Sequence, residues 1–225
     1  MSSNHDLAIQ MAELARGIAL RKVEDVLADV TAAAKQLIPG VDHAGVLLVG
    51  KAHTHETLAP TSDLMYKLDE LQMTTGEGPC LQAALNEIVI RTDDFRNEPR
   101  FPHYAPKVVE LGLLSALSFK LYTADRTAGA LNLFGYEPKL WDSEAETIGM
   151  VLAAHAAAAI LASREGEQLQ SALSTRDRIG QAKGIIMERF KIDDVRAFAM
   201  LRQLSQDGNT KLIDVAQRVI DTRGD

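Results

Sequence analysis

The chain has 225 residues, 46% of them hydrophobic: enough for two ordinary domains with buried cores, and too apolar for wholesale disorder. Its single cysteine, Cys80, excludes an internal disulfide framework and fits a reducing compartment. The net charge of -7 argues against nonspecific nucleic-acid binding by the whole chain, but ten basic residues face eight acidic ones from Arg176 onward, against 14 and 23 before it.

That asymmetry predicts two units with different jobs. No apolar run approaches the roughly 18 residues needed to span a bilayer. The start has no basic segment leading into an apolar core, so no signal peptide is read there. A soluble, cytoplasmic protein is expected.

In chain order, "LAIQMAELARGIAL" and "VEDVLADVTAAAKQLIPG" read as helices, the second ended by Pro39-Gly40. "HAGVLLVG" reads as a buried strand and "AHTHETLAP" as its hairpin partner. "TSDLMYKLDELQM" returns to helical spacing, with Leu64, Leu68 and Leu71 on one side. A Gly/Pro turn then opens a short helix, "TGEGPCLQAALNE". "IVIRTDDF" reads as a strand with an acidic end, and "PRFPHYAPKVVELGL" as a helix closed by Gly112. Two strands follow, "LSALSFKLYTA" and "TAGALNLFGYE", split by a hairpin at "ADRTA". A long Ala-rich helix starts at an N-cap, Asp142 or Ser143, and runs to about Ser174.

Strand pairs interleaved with helices predict an α+β domain with an antiparallel sheet flanked by helices. The rest is all helical: "IGQAKGIIMERF", "DDVRAFAMLRQLSQ" and "NTKLIDVAQRVIDT". In the last, Leu212, Val215, Ala216, Val219 and Ile220 form one apolar face. The expected organisation is an N-terminal helix over 1–19, the α+β domain over 20–163, a helical coiled-coil linker over 164–175 and an all-α three-helix bundle over 176–225. Ile148, His155, Ala162 and Leu169 repeat every seven residues on the long helix, a partial heptad consistent with a homodimer.

The stretch "RDRIGQAKGIIMERF" carries two glycines inside a helix, each costing about 1 kcal/mol relative to alanine. On a helical wheel Ile179, Ala182, Ile186 and Phe190 form the buried stripe, with Lys183 at its edge. Beyond Lys183 come Arg176, Met187, Gly180, Lys191 and Gly184, with no acid in that arc. Two readings fit. The glycines permit tight helix packing and Lys183 snorkels. Alternatively, a bare, basic flank admits a phosphodiester backbone or an extruded base. Phe190 and Phe198 read as core residues, so no aromatic stacking platform is expected.

The residues "IGQAKGIIMERF" and "AFAMLRQLSQDGNTKLIDVAQRVI" resemble the ANTAR family of RNA-binding output domains over about Arg176 to Thr222. The resemblance implies a dimer that binds paired RNA hairpins in nascent transcripts and prevents a transcription terminator from forming. Lys183 is then the central phosphate contact, with Arg176 and Lys191 beside it. Gln181, Arg202, Asn209 and Lys211 are further contacts, and Gly180 and Gly184 give clearance. "TLAPTSDLMYKLDELQMTTGEGPCLQAALNE", "LGLLSALSFKLY" and "GALNLFGYEPKLWDSEAE" are similar to GAF domains coupled to ANTAR domains in actinobacteria. A signal-responsive antitermination regulator with a GAF sensor domain is therefore expected. Its pocket offers a place for a small-molecule ligand that the sequence does not name.

The alternative is a GAF-based metabolite or redox sensor whose helical tail serves dimerisation or protein–protein interaction. Cys80 is the candidate redox thiol, because a helix N-terminus lowers a thiol pKa; a small buried hydrophobe is the other reading. His53 and His55 share a strand face but lack a third metal ligand, so no metal site is expected. Asp93 and Asp94 read as an acidic loop, and Trp141 and Tyr136 as packing residues. No phosphate-binding glycine loop, G-x-S-x-G or phospho-acceptor pattern is present, so no enzyme is expected.

Overall fold

The computed structural model describes residues 21–50, 54–85, 87–121 and 128–222. The helix expected over 1–19, His53 and the "ADRTA" turn fall largely or wholly outside them. Within the described residues, α1 (Val23–Leu37) buries Val26, Leu27, Val30 and Ala34 at helical spacing. Glu24 and Asp25 in its first turn and Lys35 in its last complement the helix dipole. Gly40, at φ +82°, supplies the left-handed turn into the sheet.

Five strands form one antiparallel sheet: β1 (His43–Val49), β2 (His55–Leu58), β3 (Val89–Thr92), β4 (Ser115–Leu121) and β5 (Ala128–Gly135), in the order β2-β1-β5-β4-β3. The pairing register sorts the side chains into rows. Val46, Leu131 and Phe119 align on one face; Gly45, Asn132 and Ser118 align on the other. The Val46 face packs against α1 and the first turns of α5 (Ser143–Phe190), through Leu27, Val30, Ile148, Leu152, Ala156 and Ile160. The other face is covered by α2 (Leu64–Thr75), α3 (Pro79–Leu85), a single 3-10 turn (Phe95–Asn97) and α4 (Ala105–Glu110), with Met65, Leu68, Phe95, Phe101 and Tyr104 in the core. This is the expected α+β architecture.

Three details differ from the sequence reading. First, α2 buries Met65, Leu68, Asp69 and Gln72, whereas Leu64 and Leu71 are only half-buried. The helix is rotated so that two polar residues, not two leucines, flank Leu68 on the sheet side. Second, α5 does not stop near Ser174 but runs unbroken to Phe190. Asp142 caps it, its Oδ1 accepting from the Ala145 N–H at 2.8 Å. No proline interrupts "STRD", and mid-helix glycines weaken a helix without ending it. Third, α5 is, among the described residues, the helix long and apolar enough by composition to cross a membrane. Half of its most apolar stretch is buried inside the protein, as in a core helix.

The chain divides into two compact units at Ser163. In the second unit α5 meets α6 (Asp194–Asp207) and α7 (Leu212–Asp221) around Ala182, Ile186, Ala197, Leu201, Val215 and Ala216. The Asp193 side chain caps α6 by accepting from the Arg196 N–H at 2.8 Å. Lys191 and Asn209, at φ +54° and +43°, make the left-handed residues of the two connecting turns.

Candidate functional site

The bundle brings together part of the expected basic flank. Arg176, Gly180 and Lys183 lie at i, i+4 and i+7 along α5 and line one open groove with Thr175, Asp177 and Phe198. Gln181 and Gly184 line a second groove instead, with Ile185, Glu188, Arg189 and Ile220. A Cβ added at Gly180 or Gly184 would meet nothing within 4 Å. Within this chain the glycines therefore do not serve tight helix packing; they leave bare backbone facing open space.

Lys183 is three-quarters buried at its side chain and forms an ion pair with Asp194 in the first turn of α6. The wheel found no acid in the arc because it compared residues of one helix only; Asp194 arrives from the next helix. Lys191 is exposed and paired to Glu188 at 2.6 Å. Its left-handed backbone closes α5, a role independent of any ligand. Arg202 and Lys211 are exposed on α6 and at the start of α7, and line neither groove. Asn209 is exposed too, but its identity is explained by the turn it makes, since asparagine tolerates the left-handed region.

The expectation of core phenylalanines fails. Phe190 is 55% and Phe198 40% exposed. The helix outlasts the bundle core at Phe190, and Phe198 follows Ala197, which alone takes the buried position there.

In the first unit, the sheet face under α2 and α3 holds a polar cluster that sequence reasoning missed. Asp69, Gln72, Ser118 and Asn132 are all fully buried, as are Cys80 and Tyr104. Some of their bonds are satisfied: Thr57 Oγ1 donates to Asp69 Oδ2 at 2.7 Å, the Cys80 N–H to Gln72 Oε1 at 2.9 Å, and Ser118 Oγ to Asn132 Oδ1 at 2.8 Å. Asp69 Oδ1, Gln72 Nε2, Tyr104 OH and Asn132 Nδ2 have no partner. Buried polar atoms are normally paired, and four orphans in one core is unusual. Burial raises the Asp69 carboxyl to about 7, against the pull of its Thr57 hydrogen bond. Burial likewise pushes up the Cys80 thiol and the Tyr104 phenol, and the nearby Asp69 charge adds to both.

Cys80 does sit at the start of α3, but its thiol is raised rather than lowered, the environment of an unreactive buried thiol. His55 is exposed. Among the described residues, no group of three or more His, Cys, Asp or Glu is placed to hold a metal. Asp94 caps the 3-10 turn and Asp93 pairs with Arg91, so both work in a surface loop. Trp141 is packed in the core, whereas Tyr136 is half-exposed and contacts His43 Nε2 through its hydroxyl at 2.7 Å.

The comparisons follow this division. The GAF domain family model matches residues 21–161, and the ANTAR domain model matches residues 167–220. No curated protein matches the chain. Among solved structures, the GAF domain of a phosphoenolpyruvate-protein phosphotransferase from Coxiella burnetii is similar with a TM-score of 0.57 at 19% identity, over 72% of this chain and 96% of that one. A domain of a two-component sensor histidine kinase protein from Sinorhizobium meliloti gives 0.53 at 18%, over 65% and 97%. A free methionine-R-sulfoxide reductase from Neisseria meningitidis gives 0.51 at 16%, over 72% and 93%. At these identities the likeness concerns the fold alone.

Proposed function

Because the chain belongs to the GAF family and carries an ANTAR domain after its GAF domain, it is a regulator with a sensor domain, and we propose that it is a cytoplasmic homodimer that binds paired RNA hairpins and prevents transcription termination. Both domains are regulatory rather than catalytic. The observation that carries the proposal is the groove on α5, where Arg176 and Lys183 flank the bare backbone of Gly180. A cation one turn to either side of an uncovered helix surface suits a phosphodiester backbone at close approach.

Dimerisation is supported by α5 itself. Of the expected heptad, Ile148 is absorbed into the sheet core but Leu169 is 63% exposed; Leu173, one turn further on and outside that heptad, is 48% exposed. A second α5 would cover them. On the sensor side, the orphaned atoms around Asp69 and Asn132 offer donors and an acceptor to a small ligand entering between sheet and α2. A signal there would change the affinity of the bundle for RNA through coupling between the two sites.

The test is transcription in vitro from a template whose terminator overlaps two hairpins. Added full-length protein is expected to increase readthrough, and removal of one hairpin to abolish the increase. Readthrough unchanged by the protein would sink the proposal. Copies joined through Leu169 and Leu173 are checked by sedimentation, where Leu169→Glu is expected to give monomers.

A further inference from the structure

Phe198 extends the RNA reading, and the inference rests on it. The ring is 40% exposed although its neighbour Ala197 is fully buried, so α6 turns this aromatic outward. It opens into the groove of about 620 Å³ that Arg176, Asp177, Gly180 and Lys183 also line. That volume suits a small planar group. Asp194, the partner of Lys183, stands one turn before Phe198 on the same helix, which places the aromatic beside the Lys183 ammonium. Arg176 has no ion-pair partner among the described residues.

We propose that Phe198 is the stacking platform for one unpaired base of the hairpin loop. The base enters over Gly180, where no side chain blocks it, and lies against the phenylalanine ring. Lys183 exchanges Asp194 for the adjoining phosphate, and the Arg176 guanidinium neutralises the next phosphate or stacks on the open face of the base. The mixed lining favours this occupant over a second protein chain. An apolar helix docked there would bury Arg176 and Lys183 against hydrocarbon, whereas a nucleotide supplies a π-face and an anion together. It also explains why an ordinary helix position on α6 spends a large aromatic on solvent.

The experiment uses the full-length chain and a two-hairpin RNA carrying 2-aminopurine at one unpaired loop position at a time. Binding is expected to quench the probe at a single position, and Phe198→Leu to remove that quenching. The same variant is expected to weaken binding about tenfold without changing the salt slope, because stacking releases no counterions. Phe198→Tyr is expected to restore both, which a mere packing defect would not allow. Wild-type affinity in Phe198→Leu would overturn the platform while leaving the RNA reading intact. So would weakened binding accompanied by dissociation of the dimer, which would assign the groove to a second copy. Failure of the wild-type chain to bind the RNA at any salt would overturn both.

Discussion

In the sheet-and-helix unit, Asp69, Gln72, Tyr104 and Asn132 lie fully buried with polar atoms that have no partner. In the helical unit, Leu169, Leu173, Phe190, Val195, Phe198 and Leu204 are exposed. Folding rules ask for the opposite in both places. Departures of this kind gather where a protein meets something else. Exposed apolar side chains occur in both units, Tyr66, Ile88 and Tyr136 among them in the first, whereas among the described residues the unpaired buried polar atoms all lie in the first. The sensor stores unsatisfied hydrogen-bonding capacity in an interior. The bundle shows apolar and cationic surface to the outside, as a unit that binds a large polymer or a second copy of itself would.

The glycines of α5 sharpen the contrast, because one helix carries both kinds. Gly149 lies where a Cβ would run into the buried Phe119 ring. Gly149→Ala is expected to destabilise the chain by about 3 kcal/mol, the upper end of overpacking costs. A melting curve like that of wild type would show that α5 sits less tightly on the sheet than described. Next in size is the buried carboxyl. A raised acid pKa means that the folded state prefers the protonated form. Asp69 therefore lowers stability as pH rises from its unfolded value of 3.8 to about 7. Asp69→Asn is expected to stabilise by about 2 kcal/mol near pH 8 and by little near pH 3. A gain that does not depend on pH would show that charge is not the cause.

Gly184→Ala tests the other end of the helix. Nothing lies within 4 Å of the added methyl. The change is expected to raise stability by about 1 kcal/mol through helix propensity alone, while weakening RNA binding by crowding the bare surface. Stabilisation without loss of binding would remove Gly184 from the interface. The smallest effect is expected at Asp194→Asn, which frees Lys183 from its carboxylate partner. RNA affinity should rise about threefold, as expected for removing a competing ion pair of modest worth. A fall in affinity would mean that Asp194 positions the lysine rather than competing for it.

Much of the fold was legible in the sequence. The continuous apolar run of β1, the Ala-rich α5 and the five-residue apolar face of α7 carry their burial in their composition and spacing. The site was legible only in part. The wheel placed Arg176, Gly180 and Lys183 on one flank, and they do line one groove. It could not place Asp194 beside Lys183, because that contact spans two helices. Residue type places Phe198 in the core, whereas in "AFAM" it is Ala197 that takes the buried side, with Phe198 and Ala199 exposed. The Asp69 cluster gave no signal at all. A leucine-rich α2 reads as an ordinary amphipathic helix until the sheet fixes its rotation.

The proposal that the α5 flank is an RNA-binding surface is tested most directly by the affinity of the full-length chain for a two-hairpin RNA across a range of salt, wild type against Lys183→Gln. The account predicts weaker binding and a slope of log affinity against log salt flattened by about one, the loss of one phosphate contact. An unchanged slope, whatever the affinity, would contradict it.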